Sequence, residues 1–424
     1  MHILQRFKRW FIPGLGVKRW FLLLFTGIFA LAISIGLGLI AVLDINQTRA
    51  SVTIEVWIVA FLALVGGSLL IALGLRNLVR RILAPYRTHE TNTIVDTLYA
   101  HSQRGKGLRV VAVGGGTGLP SVLRGMKAYT NNLTAVVTVA DDGGSSGRLR
   151  REMGVLPPGD LRNNIVALAD DESLMAQLFQ YRFAQGDLKG HAFGNLFISA
   201  LEAVTGSLEA ALVETERVLN IAGRVFPSTL HDVRLAGWVK PSEGTDAIWV
   251  EGESSITEVG GKIEQICLEP SEVEAYTGSV DAILNADIIF IGPGSLYTSI
   301  LPNLMVRGIA DALRATSADI VYICNVATQP GETDDYTVAD HVLAMERHIG
   351  RGVFRAVLAN NAYPSHNAGE NTHYVRPVPS HHEVLQRYEI IYTDLVNYEK
   401  PWRHDPSKLA RAVMALRGQG IKVN

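Results

Sequence analysis

The chain has 424 residues, with 39 lysines and arginines against 41 aspartates and glutamates. That length allows two to three domains, and the near-neutral balance excludes a general electrostatic pull toward nucleic acid. Two cysteines, Cys267 and Cys324, lie far apart without metal-ligand spacing and read as buried thiols in a reducing compartment. The 48% hydrophobic content is high for a charged soluble enzyme, and its excess is concentrated at the amino terminus.

Phe21 to Leu43 carries no charged residue and is long enough to cross a bilayer. Val56 to Leu75 is a second such run, with a Gly66-Gly67 pair suited to close helix packing. Trp10, Trp20 and Trp57 sit near the ends of these runs, where interfacial aromatics are expected. Arg6, Lys8, Arg9, Lys18 and Arg19 precede the first run; Arg76, Arg80, Arg81 and Arg87 follow the second, and the connection holds only Arg49. Positive flanks stay inside, so the expected topology is a two-span hairpin in the cell membrane, with the amino terminus and main domain cytoplasmic. A cleaved signal peptide would need a small-residue cleavage site and no second span. With no ionisable residue in either run, the hairpin reads as an anchor rather than a transport path.

Residues 1–81 are thus expected to form the anchor, 82–107 a polar linker with a short helix around Thr93 to His101, and 108–424 the main domain. That domain opens with an apolar strand, Val110 to Val113, emptying into Gly114, Gly115, Gly116 and Gly118. A helical pattern follows, with Val122, Leu123 and Met126 on one face. Strand, glycine turn and helix present backbone N–H groups to a phosphate. A second strand, Leu133 to Ala140, ends in Asp141-Asp142 and a glycine-serine turn, Gly143 to Gly147.

Further on, Pro157-Pro158-Gly159 forms a turn and Asp160 is placed to cap a helix over Leu161 to Ala169. Helices are predicted at Ser173–Phe183, Phe193–Val204, Ser207–Ala222, Ser299–Ala315 and Val338–Ile349. Short β-like runs lie at Ser228–Val239, Ala247–Val250 and Ile263–Leu268; buried strands return at Asp287–Ile291, Ile320–Cys324 and Val353–Ala359. This alternation predicts an α/β fold with a Rossmann-like, doubly wound, mostly parallel sheet. Three more strand ends carry polar turns: Gly292-Pro293-Gly294-Ser295, Asn325 to Thr333, and Asn360-Asn361. His191, before the helix at Phe193, reads either as part of a helix cap or as a group facing an anionic ligand.

The ordered motifs GGGTG, ADDGGSSGRLR, PPGDLRN, HAFGN, GPGSLYTS and NVATQPGET resemble the YvcK-type gluconeogenesis factors and, more distantly, the 2-phospho-L-lactate transferases of the CofD type. The resemblance covers Leu108 to about Gly418 but not the hairpin. It implies a Rossmann-like fold that binds a nucleotide-linked ligand, with UDP-sugars and control of cell shape and cell wall on the YvcK side. On the CofD side it implies Mg²⁺-dependent transfer from a nucleoside diphospho-linked donor. By matching motif, Gly115, Gly116, Thr117 and Gly118 would cradle phosphate, and Asp141 and Asp142 match the acidic pair near the metal. Asn195, Gly292, Gly294, Ser295 and Asn325 match other pocket positions.

Three readings follow. A nicotinamide dehydrogenase is disfavoured, because Leu119 stands where the G-x-G-x-x-G fingerprint needs its third glycine; NAD is not expected. A transferase would use Asp141 and Asp142 to hold Mg²⁺ beside the phosphates, although adjacent aspartates also cap turns with no metal at all. Arg148, nearest the glycine turn, is the arginine expected on phosphate, and His191 is the best candidate for a general base. The late histidines His366, His373, His381 and His382 sit in a polar, exposed-looking region. A regulatory protein would use the same pocket for a UDP-sugar and signal to a protein partner; a homo-oligomer is compatible with any of these. The lack of a convincing general base and the membrane hairpin favour the regulatory reading.

Overall fold

The computed structural model describes residues 18–48, 54–83, 107–169, 173–242, 244, 246–365, 368–369 and 371–418. Arg6, Lys8, Arg9, Trp10, Arg49, Arg87, His366, most of the expected linker and its short helix lie outside them. The chain divides into two compact units, Met1–Asp96 and Thr97–Asn424.

The first unit is a pair of long helices, α1 (Lys18–Thr48) and α2 (Ile54–Leu83). Both contain apolar segments long enough to cross a bilayer, Trp20–Ile40 and Ile54–Leu78. Close approach is set by Gly27 and Gly67: a Cβ on either would lie 2.8 Å from the other's carbonyl oxygen. Gly66, by contrast, faces open space, so only half of the glycine pair serves the packing. The Ser34 hydroxyl donates to the Ala60 carbonyl across the pair. Outward positions such as Phe25, Phe29, Phe61 and Leu62 remain exposed.

The second unit is built on a seven-stranded sheet in the order β10-β9-β8-β7-β1-β2-β3. Every pairing in it is parallel. The strands are β1 (Val110–Gly114), β2 (Leu133–Val137), β3 (Arg224–Pro227), β7 (Ile288–Ile291), β8 (Asp319–Ile323), β9 (Ala356–Asn360) and β10 (Glu389–Thr393). A smaller antiparallel sheet, in the order β5-β4-β6, is formed by β4 (Arg234–Lys240), β5 (Ile248–Glu251) and β6 (Lys262–Glu269). Strands β1 and β7 are buried along their whole length, as central parallel strands covered on both faces must be. Burying each of their valines and isoleucines contributes about 1.5–3 kcal/mol.

Three helices stand near the carboxyl ends of β1 and β2: α3 (Leu119–Met126), α4 (Gly144–Met153) and α5 (Gly159–Leu168). Later come α6 (Leu174–Gln180), α7 (Phe193–Thr205), α8 (Leu208–Leu219), α9 (Glu253–Val259) and α10 (Thr277–Leu284). A π-helical turn over Leu296–Ile300 leads into α11 (Leu301–Leu304) and α12 (Arg307–Ala315). The chain ends with α13 (Val338–Ile349), α14 (Val384–Arg387) and α15 (Pro406–Gly418).

Several local expectations are corrected. The supposed turn Gly143–Gly147 is the first turn of α4, entered from an extended Gly143. Strand β2 stops at Val137, the Thr138 N–H making the last bond of its parallel ladder with β1, to the Gly114 carbonyl. The helix expected over Ser299–Ala315 is broken near Val306, whose extended backbone separates α11 from α12. The run Ser228–Val239 is a strand only from Arg234 onward. Cys324 is buried as expected, but Cys267 is only half-buried.

Candidate functional site

The order of strands singles out one place. From β1 the chain steps outward through β2 and β3, whereas β7, β8, β9 and β10 step outward on the other side. The order therefore reverses between β1 and β7, and in open α/β sheets ligands bind outside the carboxyl ends of the strands at such a point. The loops leaving these two strands are GGTG, 115–118, and GPGS, 292–295. They pack backbone against backbone: a Cβ on Gly118 would fall 2.6 Å from the Pro293 carbonyl oxygen and 2.7 Å from Gly294 Cα. No side chain fits there.

Neighbouring groups hold both loops. Asn325, just past β8, accepts from Gly294 N–H through Oδ1 (3.1 Å) and donates to the Gly294 carbonyl through Nδ2 (2.8 Å). Buried Asn303 donates to the Gly114 and Ser299 carbonyls at 2.8 and 2.7 Å. The Ser295 hydroxyl donates to Glu332 and accepts from Thr298 N–H, capping the π-helical turn. Asn325 and Ser295 are thus committed to shaping the loop. Thr117 is exposed at the tip.

Asp160 does not cap α5. The helix starts a residue earlier, at Gly159, and Asp160 instead accepts from Gly116 N–H at 2.7 Å through Oδ2. A Cβ on Gly115 would lie 2.5 Å from the same oxygen, so glycine is needed for the carboxylate to approach. Asp141 and Asp142 point to different partners. Asp141 Oδ1 accepts from Gly143 N–H, and Asp142 Oδ1 accepts from Ser254 N–H in the first turn of α9, both at 2.9 Å. Glu253 of α9 is hydrogen-bonded to Asp141.

The result is a carboxylate cluster of Asp141, Asp142, Asp160 and Glu253. Burial first, then the charges of Asp141 and Asp160, push Glu253 up to about 9. Burial and the Asp141 charge push Asp160 up to about 7, against the opposing bond from Gly116 and the charge of Arg162. The cluster therefore carries a proton at neutral pH, on Glu253. Among the described residues no three His, Cys, Asp or Glu side chains are gathered to hold a metal ion unaided.

On the flank of this cluster, the Ser145 hydroxyl joins buried His191 Nδ1 (3.1 Å) and accepts from Asn195 Nδ2 (3.1 Å) and Ala192 N–H. Burial and the nearby Arg148 charge lower the pKa of His191, keeping the ring neutral. The cap of α7 is Ala192, so His191 is no helix cap. Arg148 donates to the Lys189 carbonyl at 2.8 Å. Two buried groups here have no partner among the described residues, Arg162 Nε and Asn195 Oδ1. At the third polar strand end, Asn360 is buried and spends its amide on Ala362 and Leu395 backbone. His373 and His381 are exposed.

The structure thus brings Gly115, Gly116, Gly118, Gly292, Gly294, Ser295 and Asn325 together at the switch point, with Asp141 and Asp160 alongside. Sequence reasoning missed Asp160, Arg162 and Glu253 as site residues. The first two lie inside a quoted motif and could have been found there; Glu253 reaches the cluster only through the fold. The two larger of the cavities found among the described residues lie elsewhere. One of about 370 Å³ sits at the amino-terminal ends of β1 and β2, beside Arg109 and Asn132. The other, of about 610 Å³, adjoins the β4–β6 ladder and is bordered by Glu332. Neither contains the glycine loops, and the strand order locates the site better than enclosed volume does.

Comparison with known proteins shows the family and the fold. The family model described as 2-phospho-L-lactate transferase CofD matches residues 110–396. A gluconeogenesis factor from Bacillus subtilis is 44% identical over 314 residues, covering 73% of this chain and 98% of that protein. A gluconeogenesis-factor relative from Nostoc sp. is 43% identical over 439 residues, covering 98% of this chain and 94% of its own length. That alignment therefore takes in the amino-terminal helices. A crystal structure of a UPF0052-family protein from Bacillus halodurans matches with a TM-score of 0.67 and 43% identity, over 72% of this chain and 98% of that one. The Bacillus halodurans structure, matched over 98% of its length by 72% of this chain, is a folded protein of about the second unit's extent. From the strand order, the loop pair and these matches, the chain belongs to the CofD family, among its gluconeogenesis factors.

Proposed function

We propose that this chain is a membrane-anchored regulatory protein that binds a UDP-sugar at the switch point and serves cell-wall and cell-shape control. The observation that carries the reading is the meeting of the two glycine loops at the carboxyl ends of β1 and β7, the strand-order switch point where open α/β sheets take their ligands. Arg162 and Asn195 supply unspent hydrogen-bonding groups beside it. No convincing general base stands there: His191 is engaged with Ser145, and Asp160 with Gly116. The apolar length of α1 and α2 and their exposed outer faces support a bilayer anchor. The test is twofold. Calorimetry on a Leu108–Asn424 fragment should show saturable binding of UDP-N-acetylglucosamine, and the full chain should fractionate with membranes and resist extraction by carbonate. Absence of binding would overturn the ligand, and release by carbonate the anchor.

A second reading is favoured by one observation, the crowding of carboxyl groups at Asp141, Asp160 and Glu253. Mg²⁺ is commonly held by one or two carboxylates together with substrate phosphates. Asp141, with Asp160 and Glu253 beside it, fits that arrangement, whereas Asp142 is turned to Ser254. Mg²⁺ there would offset charge developing on a diphosphate leaving group, and the loop N–H groups would orient the phosphates. Binding of GDP that requires Mg²⁺ would favour this transferase reading.

A further inference from the structure

The cavity of about 610 Å³ beside the antiparallel sheet has an electrostatic pattern the switch point does not explain. Lys240 and Lys262 face one another in register on β4 and β6. Directly opposed side chains on antiparallel strands stand about 5 Å apart at Cβ, and like charges so placed repel. Arg347, from the last turn of α13, borders the same cavity and adds a third positive charge. None of the three has an ion-pair partner among the described residues; Arg347 donates only to the Glu264 carbonyl.

The cavity is also bordered by four acidic residues, three of which hold backbone or hydroxyl donors. Asp340 closes the capping box of α13 with Thr337, and Asp334 accepts from Gly331 N–H. Glu332 accepts from Ser295 and Thr298. That leaves Asp335 and Ser242 as the cavity's polar side chains with no hydrogen bond among the described residues. The cavity exceeds what a lone inorganic anion fills. It pairs a basic corner suited to a phosphate with groups suited to hydroxyls.

We propose that this cavity is a second ligand site, which takes a phosphorylated polyol of the sugar-phosphate class. Its phosphate sits between Lys240, Lys262 and Arg347, relieving their repulsion, and its hydroxyls meet Asp335 and Ser242. The floor connects to the glycine loop. Glu332 holds Ser295 at the start of the π-helical turn, and the Tyr336 hydroxyl meets that of Tyr297 at 2.8 Å within the same turn. Both Glu332 and Tyr336 line the cavity. Occupancy is therefore felt at Gly292–Ser295.

The site is tested on the full chain in detergent by calorimetry with glucose 6-phosphate, inorganic phosphate and glucose, comparing the native protein with Lys240→Ala/Lys262→Ala. Both lysines are exposed, so the double variant should keep the native melting temperature. The native protein should bind glucose 6-phosphate more tightly than phosphate and glucose not at all, and the variant should lose about tenfold or more in affinity. No binding, or binding unchanged in the variant, would overturn the site. Equal affinity for phosphate and glucose 6-phosphate would overturn the polyol assignment. The connection is read separately: saturating glucose 6-phosphate should shift UDP-N-acetylglucosamine affinity in the native protein and not in the variant. The glucose 6-phosphate titration stands by itself even if the UDP-sugar reading fails.

Discussion

Glu253 makes the carboxylate cluster measurable. Its pKa is raised from 4.5 to about 9, chiefly by burial and then by the charge of Asp141. A carboxyl group that is protonated in the folded chain and ionised in the unfolded one means that folding takes up a proton. Stability is then present in full below the unfolded pKa and is lost as pH rises through the window from 4.5 to 9. The slope is about 1.4 kcal/mol per pH unit for each proton taken up. Between pH 7.5 and 8.5 Asp160, with its pKa of about 7, is mostly ionised, so Glu253 dominates and about 1 kcal/mol should be lost. Glu253→Gln keeps a donor for Asp141 but cannot titrate. Urea unfolding of the Leu108–Asn424 fragment at the two pH values should show the loss in the native sequence and its absence in the variant. Parallel pH profiles for both proteins would refute the buried proton and the clustering behind it.

Three further outcomes follow from the same geometry. Gly118→Ala drives a methyl into Pro293 and Gly294 and should cost about 1–3 kcal/mol of stability, read as a lowered melting temperature; an unchanged one would contradict the loop packing. Asn325→Ala removes both bonds to Gly294 and should destabilise by about 1–3 kcal/mol while weakening ligand binding, whereas unaltered calorimetric affinity would separate the loop from the site. The His191 ring, held neutral by burial and by Arg148, should titrate below pH 6.5 by NMR; a midpoint at or above that value would restore it as a general base candidate.

The sheet was legible where strands are buried on both faces: the runs at Val110, Leu133, Asp287 and Ile320 have no polar alternation to confuse them. Strand β3 was missed because four residues with an exposed Arg224 and a terminal Pro227 carry almost no pattern. Strand β10 escaped because it is a half-buried edge, and α15 because its sequence gives only a weak apolar face. Both apolar helices and both glycine loops were readable from composition alone. The partners of the acids were not. Asp160 looked like a local cap, yet its bond runs to Gly116, 44 residues away. Asp142 finds Ser254, 112 residues on. Local rules rank only local partners, and tertiary contacts override them when a buried backbone N–H needs an acceptor.

The central claim is that the switch point binds a UDP-sugar for regulation rather than for turnover. The most direct measurement is titration of the Leu108–Asn424 fragment with UDP-N-acetylglucosamine, GDP and NAD, each with and without Mg²⁺, followed by chromatography of the recovered nucleotides. Binding of the UDP-sugar that ignores Mg²⁺ and returns it unchanged is the predicted result. GDP binding that depends on Mg²⁺, or conversion of the nucleotide, would contradict the account and make the chain a transferase.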